Sequence, residues 1–145
     1  MKPQLSVLLI EDDPNVRLGC EQAMQLAGIP VDAVATAEEA QHRLTADFPG
    51  IVVTDMRLPG MDGMALLRWV NNQLDPNLPV IIITGHGDVT LAVEAMRSGA
   101  YDFMQKPFST ADLVEVVRRA LEKRELVLEV EALRRRLDHR DDLEA

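Results

Sequence analysis

Acidic, hydroxyl and basic side chains follow a series of short apolar runs along the chain. In order they are Asp12 and Asp13 after the run 7–10, Asp55 after 51–54, Thr84 after 80–83, and Lys106 shortly after 101–104. If these runs are parallel strands, their carboxyl ends together form the crevice in which such sheets bind ligands. We therefore expect these side chains to share one site, centred on Asp55.

The chemistry of this set points to phosphoryl transfer. Carboxylates that share a crevice repel one another, and a hard divalent cation relieves that repulsion. Mg²⁺ prefers one or two carboxylates together with waters and phosphate oxygens, and an aspartate in such a site can attack phosphorus. The transferring group also needs positive charge and hydrogen-bond donors, which Lys106 and Thr84 can supply. The set predicts Mg²⁺-dependent phosphoryl transfer to Asp55.

The elements that must position these residues are alternating strands and helices. The predicted strands are 5–10, 31–35, 51–54, 79–83 and 101–104. Three of the runs are apolar at every position, as expected for strands buried on both faces, whereas 31–35 is more polar and suits an edge. With right-handed crossovers, the pattern predicts an α/β fold: a doubly wound, flavodoxin-like, five-stranded parallel sheet of order 2-1-3-4-5. That order makes the ends of strands 1, 3 and 4 neighbours.

The helices have readable starts. Asp13 before Pro14 predicts an N-cap with proline at the first helical position, and Thr36 with Glu39 forms a capping box. Asp88 is a candidate cap for the helix after Thr84. The last helix is predicted to start with Ser109 or Thr110 as its cap.

The last helix is unusually long, because no glycine or proline interrupts it before the end of the chain. Its first part can cover the sheet, and an apolar seam spaced 4, 3 and 4 then follows, comprising Leu126, Val130, Leu133 and Leu137. Helical to residue 137, it would span about 28 residues and roughly 40 Å. We expect a globular domain over 1–121 and a helical linker over 122–145, which either dimerises as a coiled coil or is a solvated linker.

Composition excludes several classes of protein. The 145 residues carry a net charge of −9, which argues against direct binding of nucleic acid, since that needs a basic face. One cysteine, Cys20, lies on an apolar helical stripe and rules out disulfide scaffolds and cysteine metal sites. No signal peptide and no membrane-spanning run of about 18 apolar residues is visible. The chain is predicted to be cytoplasmic.

With these motifs in place, the sequence resembles the receiver domain of two-component response regulators from about residue 5 to 121. The matching pieces are Glu11-Asp12-Asp13, Asp55 before Leu58-Pro59-Gly60-Met61-Asp62-Gly63, Thr84-Gly85, and Lys106-Pro107-Phe108. The stretch from Thr84 to Phe103 is similar to the nitrogen-regulation type of activators of σ54 RNA polymerase, including dicarboxylate-transport regulators.

The resemblance implies a role for each matching residue. Asp55 is implied to be the phosphoacceptor, and Asp12 or Asp13, or both, to hold Mg²⁺ together with Asp55 and the backbone carbonyl of Arg57. Thr84 is implied to contact a phosphoryl oxygen, and Lys106 to pair with the phosphoryl group. The Lys106–Pro107 bond is expected to be cis, and Phe103 takes the position of the aromatic switch residue.

The resemblance also implies partners. These are a sensor histidine kinase as phosphodonor and the ATPase and DNA-binding modules of a longer parent protein. The apolar seam of the last helix, by itself, predicts a second copy of the chain as a further partner. The resemblance implies self-phosphorylation rather than an enzyme that turns over. Three other functions fit these residues less well. A flavin-binding domain would need a phosphate-cradling loop where Glu11-Asp12-Asp13 stands, and the glycine fingerprint of a dinucleotide enzyme fails at Thr90. A phosphatase with an aspartate nucleophile would have Asp where Arg57 stands.

Overall fold

The structure is a computed structural model that describes the backbone of residues 4–85 and 87–144 and the side chains up to residue 139, so that His86 lies outside the described residues. The elements are β1 (Ser6–Ile10), α1 (Pro14–Leu26), β2 (Val31–Val34), α2 (Ala37–Arg43), β3 (Gly50–Asp55), α3 (Gly63–Trp69) continuing as a π-helix (Val70–Leu74), β4 (Val80–Thr84), α4 (Val89–Arg97), β5 (Asp102–Gln105) and α5 (Thr110–Glu144).

The five strands form one parallel sheet of order β2-β1-β3-β4-β5, which confirms the predicted fold. Strands β3 and β4 are buried at every residue, and β2 is the partly exposed edge strand that its polar sequence indicated. The strand ends differ slightly from the prediction. Asp55 and Thr84 are the last residues of β3 and β4 rather than the first residues of the loops, so the sheet itself holds their backbones.

Side chains of the central strands alternate between two apolar layers. Leu8 and Ile10 of β1 pack on the side of α2, α3 and α4, whereas Val7 and Leu9 pack on the side of α1 and α5. This alternation is the period-2 geometry of a strand. Cys20 belongs to the α1 layer and is buried, as predicted. The core therefore consists of two apolar layers, one on each face of the sheet.

Most predicted helix starts are confirmed. The Asp13 carboxylate accepts the backbone N–H groups of Asn15 and Val16, and the Thr36 hydroxyl accepts that of Glu39. The Ser109 hydroxyl accepts the backbone N–H of Asp112 at the start of α5. Asp88 occupies the predicted N-cap position of α4, but its side chain makes no capping hydrogen bond there and lies 3.5 Å from the Arg57 guanidinium.

Helix α5 has 35 residues, longer than the predicted 28. Leu113, Val117 and Ala120 are fully buried against the sheet. The seam residues beyond them are all exposed, at 63% for Leu126, 45% for Val130, 54% for Leu133 and 59% for Leu137. Within the part of the chain that the structure describes, no helix is both long enough and apolar enough to cross a bilayer.

Candidate functional site

The carboxyl ends of β1, β3, β4 and β5 bring the predicted residues to one edge of the sheet. Asp55 ends β3 between β1 and β4, with Ile83 as its register partner in β4. Lys106 follows β5, and its backbone N–H donates to the carbonyl of Thr84 at 2.9 Å. The Lys106–Pro107 peptide bond is cis, as the resemblance implied. Parallel strands thus assemble a site from residues that are up to 95 positions apart.

A direct ion-pair network lies at the centre of this site. The Lys106 ammonium donates to Asp55 Oδ2 at 2.9 Å and to Glu11 Oε1 at 3.1 Å. The carboxylates are buried, with Glu11 3% and Asp55 8% exposed, while the lysine side chain stays 35% exposed. Lys106, which the resemblance implies will pair with a phosphoryl group, thus contacts the carboxylate of Asp55 itself.

Glu11, Asp12 and Asp55 form the acidic cluster of the site. Each offers a carboxylate oxygen, and these oxygens lie within 4.8 Å of one another. Asp13 does not belong to this cluster, because its carboxylate caps α1. Of the two aspartates predicted to face the metal, the structure brings only Asp12 into the group.

Glu11 is the site residue that the motif analysis missed. Its signal was its position as the first residue after a fully apolar run, directly at the strand end. Asp13 carried the opposite signal, because Asp before Pro14 marks a helix start. The positions at which β1 ends and α1 begins decide which acids of Glu11-Asp12-Asp13 face the crevice.

Burial and like charge shift the acid–base behaviour of the site. Desolvation, followed by the hydrogen bond to Asp55 and its charge, raises the pKa of Glu11 from 4.5 to about 7, although Lys106 acts in the opposite direction. Burial lowers the pKa of Lys106, but its hydrogen bonds to Asp55 and Glu11 outweigh burial and leave the pKa raised. The raised pKa of Lys106 keeps this lysine cationic, whereas burial makes the ionised form of Glu11 costly.

One buried oxygen of the cluster has no partner. Glu11 Oε2 makes no hydrogen bond to any described group. An unsatisfied carboxylate oxygen is costly to bury, and hard divalent cations are bound by such oxygens. The donor set of two buried carboxylates and the exposed Asp12 carboxylate therefore fits Mg²⁺.

Thr84 and Arg57 flank the cluster in other roles. The Thr84 hydroxyl is fully buried and donates to the Met104 carbonyl of β5 at 3.3 Å. The backbone N–H of Arg57 lies 3.4 Å from Asp55 Oδ1, and its guanidinium points to Asp88. Thr84 thus lies beside Asp55 with its hydroxyl bonded to the next strand.

The loop after Asp55 is held close to the strand by a glycine. The Gly63 N–H donates to the Met56 carbonyl at 2.9 Å. A Cβ at this position would lie 2.4 Å from the Asp55 carbonyl oxygen, so any other residue here would force the backbone to shift. The turn Pro59–Gly63 noted in the sequence therefore lets α3 begin directly against the end of β3.

Comparison with known families and proteins agrees with this geometry. Residues 7–118 match the response regulator receiver domain. Over 140 residues the chain is 53% identical to the C4-dicarboxylate transport transcriptional regulatory protein DctD of Pseudomonas aeruginosa, covering 97% of this chain and 30% of that protein. It is 39% identical over 113 residues to the DNA-binding transcriptional regulator NtrC of Klebsiella pneumoniae, covering 78% and 24%. The chain thus spans about a third or less of the length of these relatives.

Solved structures give the same assignment. The receiver domain of NtrX from Brucella abortus superposes with a TM-score of 0.75 at 36% identity, covering 81% of this chain and 98% of that one. The structure titled FixJ-N superposes with a TM-score of 0.74 at 39% identity, covering 84% and 96%. These matches favour the receiver interpretation over the flavin, dinucleotide and phosphatase alternatives. The chain belongs to the response regulator receiver domain family, and its relatives are regulators of the NtrC and DctD type.

Proposed function

We propose that Asp55 accepts a phosphoryl group from a sensor histidine kinase, as receiver domains do. The observation that carries this proposal is the position of the Lys106 ammonium, 2.9 Å from Asp55 Oδ2 at the edge of an acidic cluster. Asp55 is buried, is paired with the Lys106 ammonium and belongs to a cluster that fits Mg²⁺. These are the surroundings that an aspartyl phosphate requires.

Mg²⁺ is the metal that we propose for the cluster. Glu11, Asp12 and Asp55 would hold it, and the backbone carbonyl of Arg57 is a further proposed ligand. When bound, Mg²⁺ neutralises the carboxylates and offsets charge on phosphoryl oxygens. Because the Asp13 carboxylate is engaged in the α1 cap, we propose Glu11 as a ligand in preference to Asp13.

The side chains then have distinct tasks. An Asp55 carboxylate oxygen forms a bond to phosphorus while the P–N bond of a phosphohistidine breaks, and the imidazole nitrogen keeps the electron pair. The Lys106 ammonium stays beside the transferred oxygens as a compact cation. The reaction occurs once per phosphoryl group received, so the chain itself is a substrate for phosphorylation rather than an enzyme.

Thr84 is the residue that we expect to respond to the new charge. Its hydroxyl would exchange the Met104 carbonyl, a neutral acceptor at 3.3 Å, for a charged phosphoryl oxygen, which is the stronger acceptor. Phe103 on β5 is 37% exposed and carries no hydroxyl. Any rearrangement of Phe103 that accompanies the movement of Thr84 must therefore occur through packing.

The direct test is chemical labelling. Acetyl phosphate with Mg²⁺ should add the mass of one phosphoryl group, and hydroxylamine should remove it, as expected of an acyl phosphate. Asp55→Asn should fold and take no label, whereas Asp102→Asn, which changes a partly exposed aspartate elsewhere, should label normally. Equal labelling of the Asp55→Asn chain would exclude Asp55 as the acceptor.

The output of the domain is proposed to be a change in a dimer. We assign residues 1–121 to the receiver and residues 122–145 to a dimerising helical linker. The exposed seam Leu126, Val130, Leu133 and Leu137 supports this division. In a longer cytoplasmic parent, the dimer would control ATPase and DNA-binding modules that promote transcription with σ54 RNA polymerase. With a net charge of −9, this segment is not expected to contact DNA itself.

A further inference from the structure

Arg124 of α5 is fully buried, at 0% exposure. Arginine is almost never fully buried unless it is paired. Its Nε donates to the Phe48 carbonyl at 3.2 Å, and its Nη2 donates to the carbonyls of Phe48 and Ala46 at 3.0 and 3.1 Å. Its Nη1 donates to Asp75 Oδ2 at 3.2 Å. One guanidinium therefore binds two carbonyls and one carboxylate.

The partners of Arg124 come from two separate loops. Ala46 and Phe48 lie between α2 and β3, and Asp75 lies between the π-helix and β4. Both loops precede strands, so they lie at the amino edge of the sheet, opposite the acidic cluster. Arg124 thus binds the far edge of the receiver to the helix that continues into the linker.

The π-helix places Asp75 for this contact. The Asp75 N–H donates to the Val70 carbonyl five residues earlier, at 3.0 Å, and its Oδ1 accepts the N–H of Asn77 at 2.8 Å. One turn earlier, Asn71 Nδ2 donates to the Ser98 carbonyl at the end of α4, at 2.5 Å. The π-helix therefore connects Asp75, the carboxylate partner of Arg124, to the end of α4. We call the four hydrogen bonds of the Arg124 guanidinium the anchor.

Packing alone does not require an arginine here. A buried ion pair can often be replaced by apolar residues without loss of stability, so burial of a cation is a poor way to gain packing energy. A guanidinium also fixes the relative orientation of the groups that it binds, because its donors form a rigid planar fork. Arg124 lies just beyond Ala120, the last residue of α5 that is fully buried against the sheet, and just before Leu126, the first residue of the seam.

We propose that Arg124 is a positioning residue that fixes the direction in which α5 leaves the receiver, so that the seam is presented in one orientation before a partner binds. The start of the linker is then held in a fixed orientation relative to the loops at the amino edge of the sheet. The assignment of the seam as a dimer surface rests on the proposed function, whereas the anchor itself does not.

The test is hydrogen exchange in the absence of any phosphodonor. A Leu133→Asp background, used at a concentration at which light scattering shows a monomer, removes protection by a second copy, so that protection of residues 125–137 reports contacts within one chain. In that background Arg124→Met should speed exchange of these amides about tenfold, because the fork and its four hydrogen bonds are lost. Arg124→Lys should also speed it, since an ammonium cannot replace the fork, and serves as the comparison if the methionine variant does not fold. Exchange of β3 and β4 should change much less.

Arg118→Met is the matched control, because Arg118 lies on the same helix and donates to the Ala27 carbonyl at 3.1 Å in a solvent-exposed hydrogen bond. It should leave exchange of residues 125–137 unchanged. Wild-type exchange rates there in a folded Arg124 variant would overturn the proposal. So would equal effects of the Arg118 and Arg124 substitutions.

Labelling of Asp55 with acetyl phosphate separates this inference from the proposed function. Both Arg124 variants should label as the unmodified chain does, since Arg124 lies at the opposite edge of the sheet. Failure of the unmodified chain to label would refute the proposed function and leave the exchange result to decide on Arg124 alone.

Discussion

Replacing Glu11 by glutamine should make the metal-free protein more stable at high pH. Glu11 is 3% exposed, and its pKa is raised from 4.5 to about 7, first by burial and then by Asp55. A raised pKa favours the protonated form in the folded state. The associated stability is fully present below pH 4.5, which is the unfolded value, and is lost as the pH rises through about 7. Glutamine resembles the protonated acid at every pH.

The magnitude follows from the pKa difference. Each unit corresponds to about 1.4 kcal/mol, so ionised Glu11 costs the folded chain on the order of 3 kcal/mol above about pH 8. For a chain of this size, that is a melting-temperature difference of roughly 10 °C. In EDTA, Glu11→Gln should be more stable than the unmodified chain near pH 8.5, and the two stabilities should converge as the pH falls toward about 4.5.

Magnesium should reverse this order. The unmodified chain gains stability from bound metal by mass action, while Glu11→Gln has lost a charged ligand and gains less. The assay is thermal unfolding followed by circular dichroism, in EDTA and in excess MgCl₂, across pH. Asp13→Asn is the control: asparagine also caps helices well, and it removes an acid that lies outside the cluster, so the Mg²⁺ response should persist.

Two results would refute this reasoning. If Glu11→Gln is less stable than the unmodified chain in EDTA near pH 8.5, then the contact with Lys106 outweighs the burial of the acid. If Asp13→Asn abolishes the Mg²⁺ response while Glu11→Gln keeps it, then Asp13 is the ligand and the cluster has been assigned to the wrong acid.

Three further changes test other parts of the molecule. Lys106→Met should slow labelling of Asp55 by acetyl phosphate about 100-fold, measured by mass spectrometry, because a cation beside the transferred group is lost. Gly63→Ala should lower the free energy of unfolding in urea by about 1–3 kcal/mol, because the new Cβ would lie 2.4 Å from the Asp55 carbonyl oxygen. Leu133→Asp should weaken a dimer seen by light scattering, whereas Leu26→Asp should not, although Leu26 is 90% exposed on α1. An unsubstituted chain that is monomeric at high micromolar concentration would contradict the assignment of the seam as a dimer surface.

The fold and most of the site could be predicted from the sequence because their signals are local. Strands buried on both faces are apolar at each position, and helix starts carry capping residues. Right-handed crossovers then leave few possible strand orders. Asp55, Thr84 and Lys106 could be placed together on these grounds alone, since a strand end is readable from its own residues.

Only the tertiary structure decided matters that depend on side-chain direction or on distant partners. Glu11, Asp12 and Asp13 are adjacent acids, and the exact point where β1 ends and α1 begins turns the third away from the cluster. Asp88 occupies a cap position, yet its side chain makes no capping hydrogen bond and lies beside Arg57.

Arg124 is the clearest case of such a decision. In the sequence it is one charge in a charged helix, of the kind expected on a solvated face. Its carbonyl partners are 76 and 78 residues away, and its carboxylate partner is 49 residues away. Only the packing of α5 across the sheet brings them within hydrogen-bond distance, because periodicity shows which face of a helix is apolar but not which polar groups that face meets.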